Sequence, residues 1–232
     1  MWMNADEVEA LEPRQERSRA TRRRILAAAN QLLRKRPFAT LSVQEIATES
    51  GCSIGAFYGR FRGKDDLLAP LLNRHYRVTQ RGLRRAMASP GWRSMSLQER
   101  LEWITRMTVW TFRSRRWLIR ALAVYLRQDA NQLTDSDRSL RNDFARRSRG
   151  LLSDFSSEIN HANQDAALDF ALFLITTLCR ERVLFGELSE HEWSAEGDDA
   201  VITEVVSAAH AYLTNGAGGM SGLSTQGIWL GA

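Results

Sequence analysis

Side chains able to do chemistry are spread thinly through this 232-residue sequence, with one exception. The four histidines, His75, His161, His191 and His210, are scattered, and Cys52 and Cys179 stand alone with no second thiol or imidazole at a metal-ligand spacing. No paired carboxylates share a helix face near a histidine, and neither a nucleophile motif nor a glycine-rich phosphate loop occurs. The sequence thus offers no catalytic residues, no metal site and no cofactor. The exception is a concentration of cations. Residues 1–90 hold 17 Lys and Arg against 9 Asp and Glu, a net charge of +8, whereas residues 91–232 carry −3. Four of the nine acids (Asp6, Glu7, Glu9, Glu12) precede Pro13, so the stretch from Arg14 to Pro90 reaches +12. A polyanion partner or a solvated basic surface both account for that charge, and only pattern separates them.

The elements that must position these cations read as helices throughout. Gly and Pro are sparse between residues 14 and 213, apolar residues recur at helical spacing, and strand-like alternation is hard to find, so the fold class is all-α. Ile25, Leu26, Ala29, Leu32 and Leu33 define the buried face of a helix from Ser18 to about Arg36, which Pro37 should stop. Ser42 and Glu45 form an S-x-x-E capping box that starts a short second helix, and Gly51 is placed to end it in a left-handed cap. Ser53 then caps a third helix of about two turns through Ile54, Ala56, Phe57 and Tyr58. Two short helices across a tight glycine turn make a helix-turn-helix. A longer helix from Lys64 or Asp65 to Met87 follows, with Asp65 and Asp66 at its positive end. Ser89, Pro90 and Gly91 break the pattern. Beyond them the periodicity predicts helices near 97–113, 116–127, 135–161, 165–186 and 198–213, with further capping boxes at Ser96/Glu99 and Ser189/Glu192.

The run RATRRRILAAANQLLRKRPFATLSVQEIATESGCSIGAFYGRFRGKDDLL, from Arg19 to Leu68, resembles the DNA-binding domain of TetR-family transcriptional regulators nearly end to end. Its most specific parts are ILAAANQLL, TLSVQEIATESG and S-x-G-x-F-Y-x-x-F followed by Lys64 and Leu67–Leu68. The resemblance implies a three-helix helix-turn-helix domain at residues 14–64 and a helical ligand-binding and dimerisation domain at 65–213; residues 1–13 and the uncharged, Gly- and Ser-rich 214–232 are expected to be disordered. It implies a homodimeric regulator, a repressor that binds a palindromic operator in double-stranded DNA and is released by a small, largely apolar effector. Ser53, Ile54, Gly55 and Ala56 would then face base edges or nearby phosphates. Tyr58 and Lys64 would hold the DNA backbone, and Thr40 and Ser42 would meet phosphate where the second helix begins. The sequence departs from the family pattern in three places. Pro37 stands for a usual glycine, so its turn must form without a positive φ. Ile54 and Ala56 stand for residues that are often polar, which suggests contact with thymine methyls. Gly59 and Arg60 replace a common aromatic or histidine pair, and Arg60 could take a phosphate or base.

The second half matches the family only in length and helix count. Trp103, Met107 and Trp110 fall on one helix face, with Trp117 close behind. They form either ordinary core or the wall of an apolar ligand pocket, to which Arg106, Arg113 and His75 could add polar groups. Phe170, Phe173, Leu174, Thr177 and Leu178 on one late helix, and Val201, Val205, Ala208, Ala209 and Tyr212 on the next, read as a pairing surface or as the monomer's own core. The longest apolar stretch, Phe170 to Cys179, is about half of the ~20 residues a membrane span needs. The acidic start has no apolar core of a secretion signal, so a soluble cytoplasmic protein is expected. Two other readings stay open. A ligand-independent architectural DNA-binding protein would carry a basic second half, and a lipid carrier leaves the +12 segment without a purpose.

Overall fold

The structure, a computed structural model of the chain, describes residues 5–128, 134–186 and 197–216. The expected capping box at Ser189 and Glu192 and most of the tail expected to be disordered lie outside the described residues. The described residues form α-helices and short 3-10 turns, without a strand. In chain order the helices are α1 (Ala5–Leu32), α2 (Val43–Ser50), α3 (Ile54–Tyr58), α4 (Leu68–Met87), α5 (Leu97–Ser114), α6 (Arg116–Gln128), α7 (Asp135–Arg149), α8 (Gln164–Phe185) and α9 (Asp198–Asn215). No described helix is long and apolar enough to cross a membrane.

The chain divides into two compact units that interleave in sequence. The first runs through Val78 and takes in Ser114–Leu140; the second is Thr79–Arg113 with Arg141 onward. These units do not coincide with a cut at residue 64, because α6 packs with the helix-turn-helix. The sequence gap hides this: Leu118, Leu122 and Tyr125 complete the core of the first unit, alongside Ile25, Ala29, Leu33, Ile46, Phe57, Phe61, Leu67 and Leu71. Each such fully buried Leu, Ile or Phe contributes about 1.5–3 kcal/mol relative to exposure.

Two sequence expectations need correction. The first helix starts at Ala5 rather than Ser18, because its Ala, Glu, Leu, Gln and Arg residues propagate a helix at little cost. The helix expected over 135–161 ends at Arg149. There Gly150 follows, the chain turns, and a 3-10 turn spans Ser153–Phe155.

The cause of that second break is tertiary. Arg100 on α5, 1% exposed, donates from Nη1 to the Leu151 carbonyl at 3.1 Å and to Asp154 Oδ2 at 2.7 Å. Its Nη2 donates to the Trp92 carbonyl at 3.1 Å. The guanidinium lies between the Trp92 and Phe155 rings, 4.8 and 4.6 Å from their centroids. Held by carbonyls, the Asp154 carboxylate and two π-faces, the buried guanidinium draws the 150–155 backbone out of the helix. In the same unit α8 packs on α9 through buried Ala171, Ile175, Cys179, Val201, Val205 and Ala209. Burial first, and then the Asp198 charge, push the Cys179 thiol up to about 12, which makes it a packing residue.

Candidate nucleic-acid interface

The helix-turn-helix is set by its caps. Ser42 Oγ accepts from the Glu45 amide at 3.2 Å while Glu45 Oε2 accepts from the Ser42 amide at 2.8 Å, so both halves of the expected capping box are present. Arg36 adds an ion pair to the same carboxylate. Arg36 first, and then the Ser42 amide and hydroxyl, hold the Glu45 carboxyl down at about 2. Gly51 ends α2 at φ 63° and ψ 37°, a left-handed cap that a side chain would strain. Ser53 Oγ accepts from the Ala56 amide at 3.1 Å and starts α3. Phe57 and Phe61 are buried, their rings 5.5 Å apart, and anchor the inner face of α3 to the core.

What remains outside is the other face. Ile54 is 45% and Tyr58 54% exposed, and Ser53, Gly55 and Gly59 are exposed beside them. Ala56 is half-buried. With Cβ-less Gly55 between the two large residues, a surface can approach the backbone of α3 closely. Arg17, Arg19, Arg22, Arg23 and Arg24 are exposed along α1 of the same unit. Arg60 ties that helix down, donating to the Ser18 carbonyl at 3.3 Å and to the Ala56 carbonyl at 2.8 Å.

The expected phosphate contacts divide into two kinds. Tyr58 is exposed. Lys64, by contrast, gives its Nζ to the carbonyls of Phe38, Ala39 and Leu41 at 3.2, 3.0 and 3.0 Å, which matches the three protons of an ammonium. It closes the 3-10 turn Phe38–Thr40, and Pro37, at φ −60°, opens that turn without a positive φ. The Thr40 hydroxyl donates to the Pro37 carbonyl at 2.9 Å, and the Ser42 hydroxyl donates to Glu45. These side chains therefore shape the α1–α2 turn. Sequence reasoning missed what the turn leaves open: the amides of Val43 and Gln44 in the first turn of α2 have no intrahelical acceptor and lie at its positive end. The capping box was the available signal, because it marks which amide is satisfied and hence which are not.

The four residues expected to line a ligand pocket are divided between the two units. Trp103 is half-buried edge-on against Trp92, with ring centroids 5.2 Å apart. Met107 is exposed and Trp110 is 61% exposed on the same α5 face. Trp117 belongs to the first unit, where it packs at the edge of that core. Of the polar candidates, Arg106 is paired to Glu102 and Asp199, Arg113 to Asp198, and His75 lies in the first unit. The expected pairing surface also divides: Val201, Val205 and Ala209 are buried within their own unit, whereas Phe170 and Phe173 are 46% and 63% exposed.

A short third helix, capped by Ser53 and exposed on its outer face, within a basic helix-turn-helix is an arrangement that suits DNA binding. Residues 25–71 match the family model described as bacterial regulatory proteins, tetR family. No curated protein matches the chain. Solved structures show the same fold at low identity. A TetR transcriptional regulator from Rhodococcus sp. RHA1 is 19% identical with a TM-score of 0.54, over 85% of this chain and 97% of that one. A TetR-family regulator from Mesorhizobium loti MAFF303099 is 13% identical with a TM-score of 0.58, over 85% and 96%. The regulator FadR from Bacillus subtilis, in complex with stearoyl-CoA, is 18% identical with a TM-score of 0.51, over 79% and 97%.

Proposed function

We propose that the protein is a repressor that binds a palindromic operator as a homodimer and is released by a small, largely apolar effector. The observation that carries the DNA half of this reading is the outward face of α3: Ile54, Gly55 and Tyr58 exposed on a helix whose opposite side, Phe57, is fully buried. In the major groove Ile54 and Ala56 meet thymine methyls, and Ser53 and Gly55 meet base edges or adjacent phosphates. Tyr58, Arg60 and the amides at the start of α2 hold the backbone and set register. Thr40, Ser42 and Lys64 act mainly by fixing the turn that presents those amides, with the Lys64 charge adding to the attraction for phosphate.

Dimerisation follows from the task, because two recognition helices about 34–36 Å apart read successive major grooves. Phe170 and Phe173 on α8, with exposed Ala208 and Ala211 on α9, supply an apolar face for the mate. Residues 65–213 serve effector binding and pairing, and the α5 face of Trp103, Met107 and Trp110 is its aromatic part. FadR's complex with stearoyl-CoA is the precedent for an apolar effector on this fold. The effector must bind the released state better than the DNA-bound one, since equal affinity shifts nothing.

Selection from random duplex DNA at about 0.15 M salt, within the physiological range where phosphate contacts are screened, tests the reading. A recovered inverted repeat is the expected result. Binding that yields no motif and vanishes as salt rises leaves only phosphate attraction and overturns it.

A further inference from the structure

Between Gln15 and Leu32, α1 carries five arginines and one acid, Glu16. Elsewhere exposed arginines meet carboxylates: Arg62 with Asp66, Arg106 with Glu102 and Asp199, Arg113 with Asp198. Among the described residues none of the five, Arg17, Arg19, Arg22, Arg23 and Arg24, has such a partner. Contacts with the residues on either side of α3 fix where this helix runs. Arg60, just after α3, donates from Nε to the Ser18 carbonyl at 3.3 Å, and the Arg22 guanidinium lies over the Phe61 ring, 5.6 Å from its centroid. In the turn before α3, a side chain added at Gly51 would begin 4.0 Å from Arg24 Nη1. α1 therefore passes both the entry and the exit of α3. Arg17 and Arg24, two turns apart, share one flank of α1 with Thr21, beside the side that turns Arg22 and buried Ile25 to the core. Every residue from Gln15 to Ala20 is exposed, so Arg17 stands beyond the packed part of the helix.

We infer that Arg17 and Arg24 clamp the phosphate strand that borders the major groove entered by α3. The inference rests on the operator reading and adds a second contact surface to it. A major groove about 12 Å wide has a phosphate strand along each side, so an element that passes both ends of the helix in the groove faces one of those strands. Guanidinium groups take phosphate oxygens in bidentate pairs, and a side chain without a carboxylate partner gives up no ion pair to do so. Contacts of this kind carry no base information; they set affinity and register, while the α3 face selects sequence. Arg60 has a part in the arrangement, because its bond to Ser18 holds α1 beside the exit of α3.

The test is the salt dependence of binding by the full chain to the duplex that selection recovers, over about 0.05 to 0.2 M salt. Each phosphate contact adds about 0.9 to the slope of log K against log salt. In a homodimer Arg17→Gln or Arg24→Gln removes two contacts, so each should lower the slope by about 1.8 and weaken binding roughly 30-fold at about 0.15 M salt. The loss should be the same on every sequence, and Arg24→Lys, which keeps the charge, should restore most of the slope. Arg84→Gln/Arg85→Gln removes twice the charge from exposed positions of the other unit and should leave the slope unchanged. Thermal unfolding of the variants should match that of the unaltered chain, because these side chains are exposed. An unchanged slope in Arg17→Gln and Arg24→Gln overturns the inference, as does an equal fall in Arg84→Gln/Arg85→Gln, which would make the effect one of net charge. A change in preferred bases also overturns it, by making these arginines base readers. Failure of the unaltered chain to bind any duplex overturns the operator reading and this inference together, whereas a recovered operator with an unchanged slope overturns this inference alone.

Discussion

The exposed face of α3 and the exposed face of α8 both carry large apolar side chains in the open, Ile54 and Tyr58 on one, Phe170 and Phe173 on the other. Their surroundings differ. The α3 face is small, broken by Gly55, and belongs to a unit whose α1 displays a row of arginines. On the α8 face Phe170 packs on Tyr212 of α9 with ring centroids 4.7 Å apart. An exposed hydrophobic residue is therefore uninformative alone. Cations and free helix amides around it fit a polyanion, whereas further aromatics fit a second apolar surface.

Four measurements break or sharpen that contrast. The largest effect belongs beneath the α3 face: Phe57→Ala should destabilise the first unit by about 3–5 kcal/mol and abolish DNA binding, read by thermal unfolding and gel shift. If stability falls and binding persists, α3 does not present the interface. Next, Phe173→Glu should weaken self-association by about 2 kcal/mol, roughly 30-fold, in sedimentation equilibrium. An unchanged dimer would remove the α8 face from the pairing surface. Tyr58→Phe should then cost about 1.5 kcal/mol of DNA affinity, roughly tenfold and equally across sequences, while Ile54→Ala should change which bases are preferred. A uniform loss from both would merge the two roles. The smallest effect is in acid. Because the Glu45 carboxyl is held at about 2 instead of 4.5, its contribution is present above pH 4.5 and is lost as pH falls toward 2. Glu45→Gln should flatten that limb of the stability curve. His75, lowered from 6.5 to about 4, acts in the same direction over pH 6.5 to 4, and Glu45→Gln should leave that limb unchanged.

Much of the site was legible in the residues, since caps and turns are local. Ser42 with Glu45, Gly51 and Ser53 each mark an element end through bonds to amides within a few residues, and the structure has all three. Roles that depend on reach across the fold were not legible. Lys64 and Arg60 read as phosphate contacts, and the structure adds bonds to carbonyls, 23 to 26 residues away for Lys64 and 4 and 42 residues away for Arg60. The tryptophans of α5 and α6 look continuous along the chain, but the break at Arg115 sends them to different compact units.

The sequence by itself determined that this protein is helical, where its helix-turn-helix begins and turns, and that its net positive charge lies in the first ninety residues. Periodicity, capping and charge act over one or two turns and need no knowledge of the rest of the chain. Only the tertiary structure decided that α6 joins the helix-turn-helix core and that Arg100 interrupts the helix expected to run past Arg149. Those outcomes depend on which distant faces exclude water together, and spacing along the chain does not encode that.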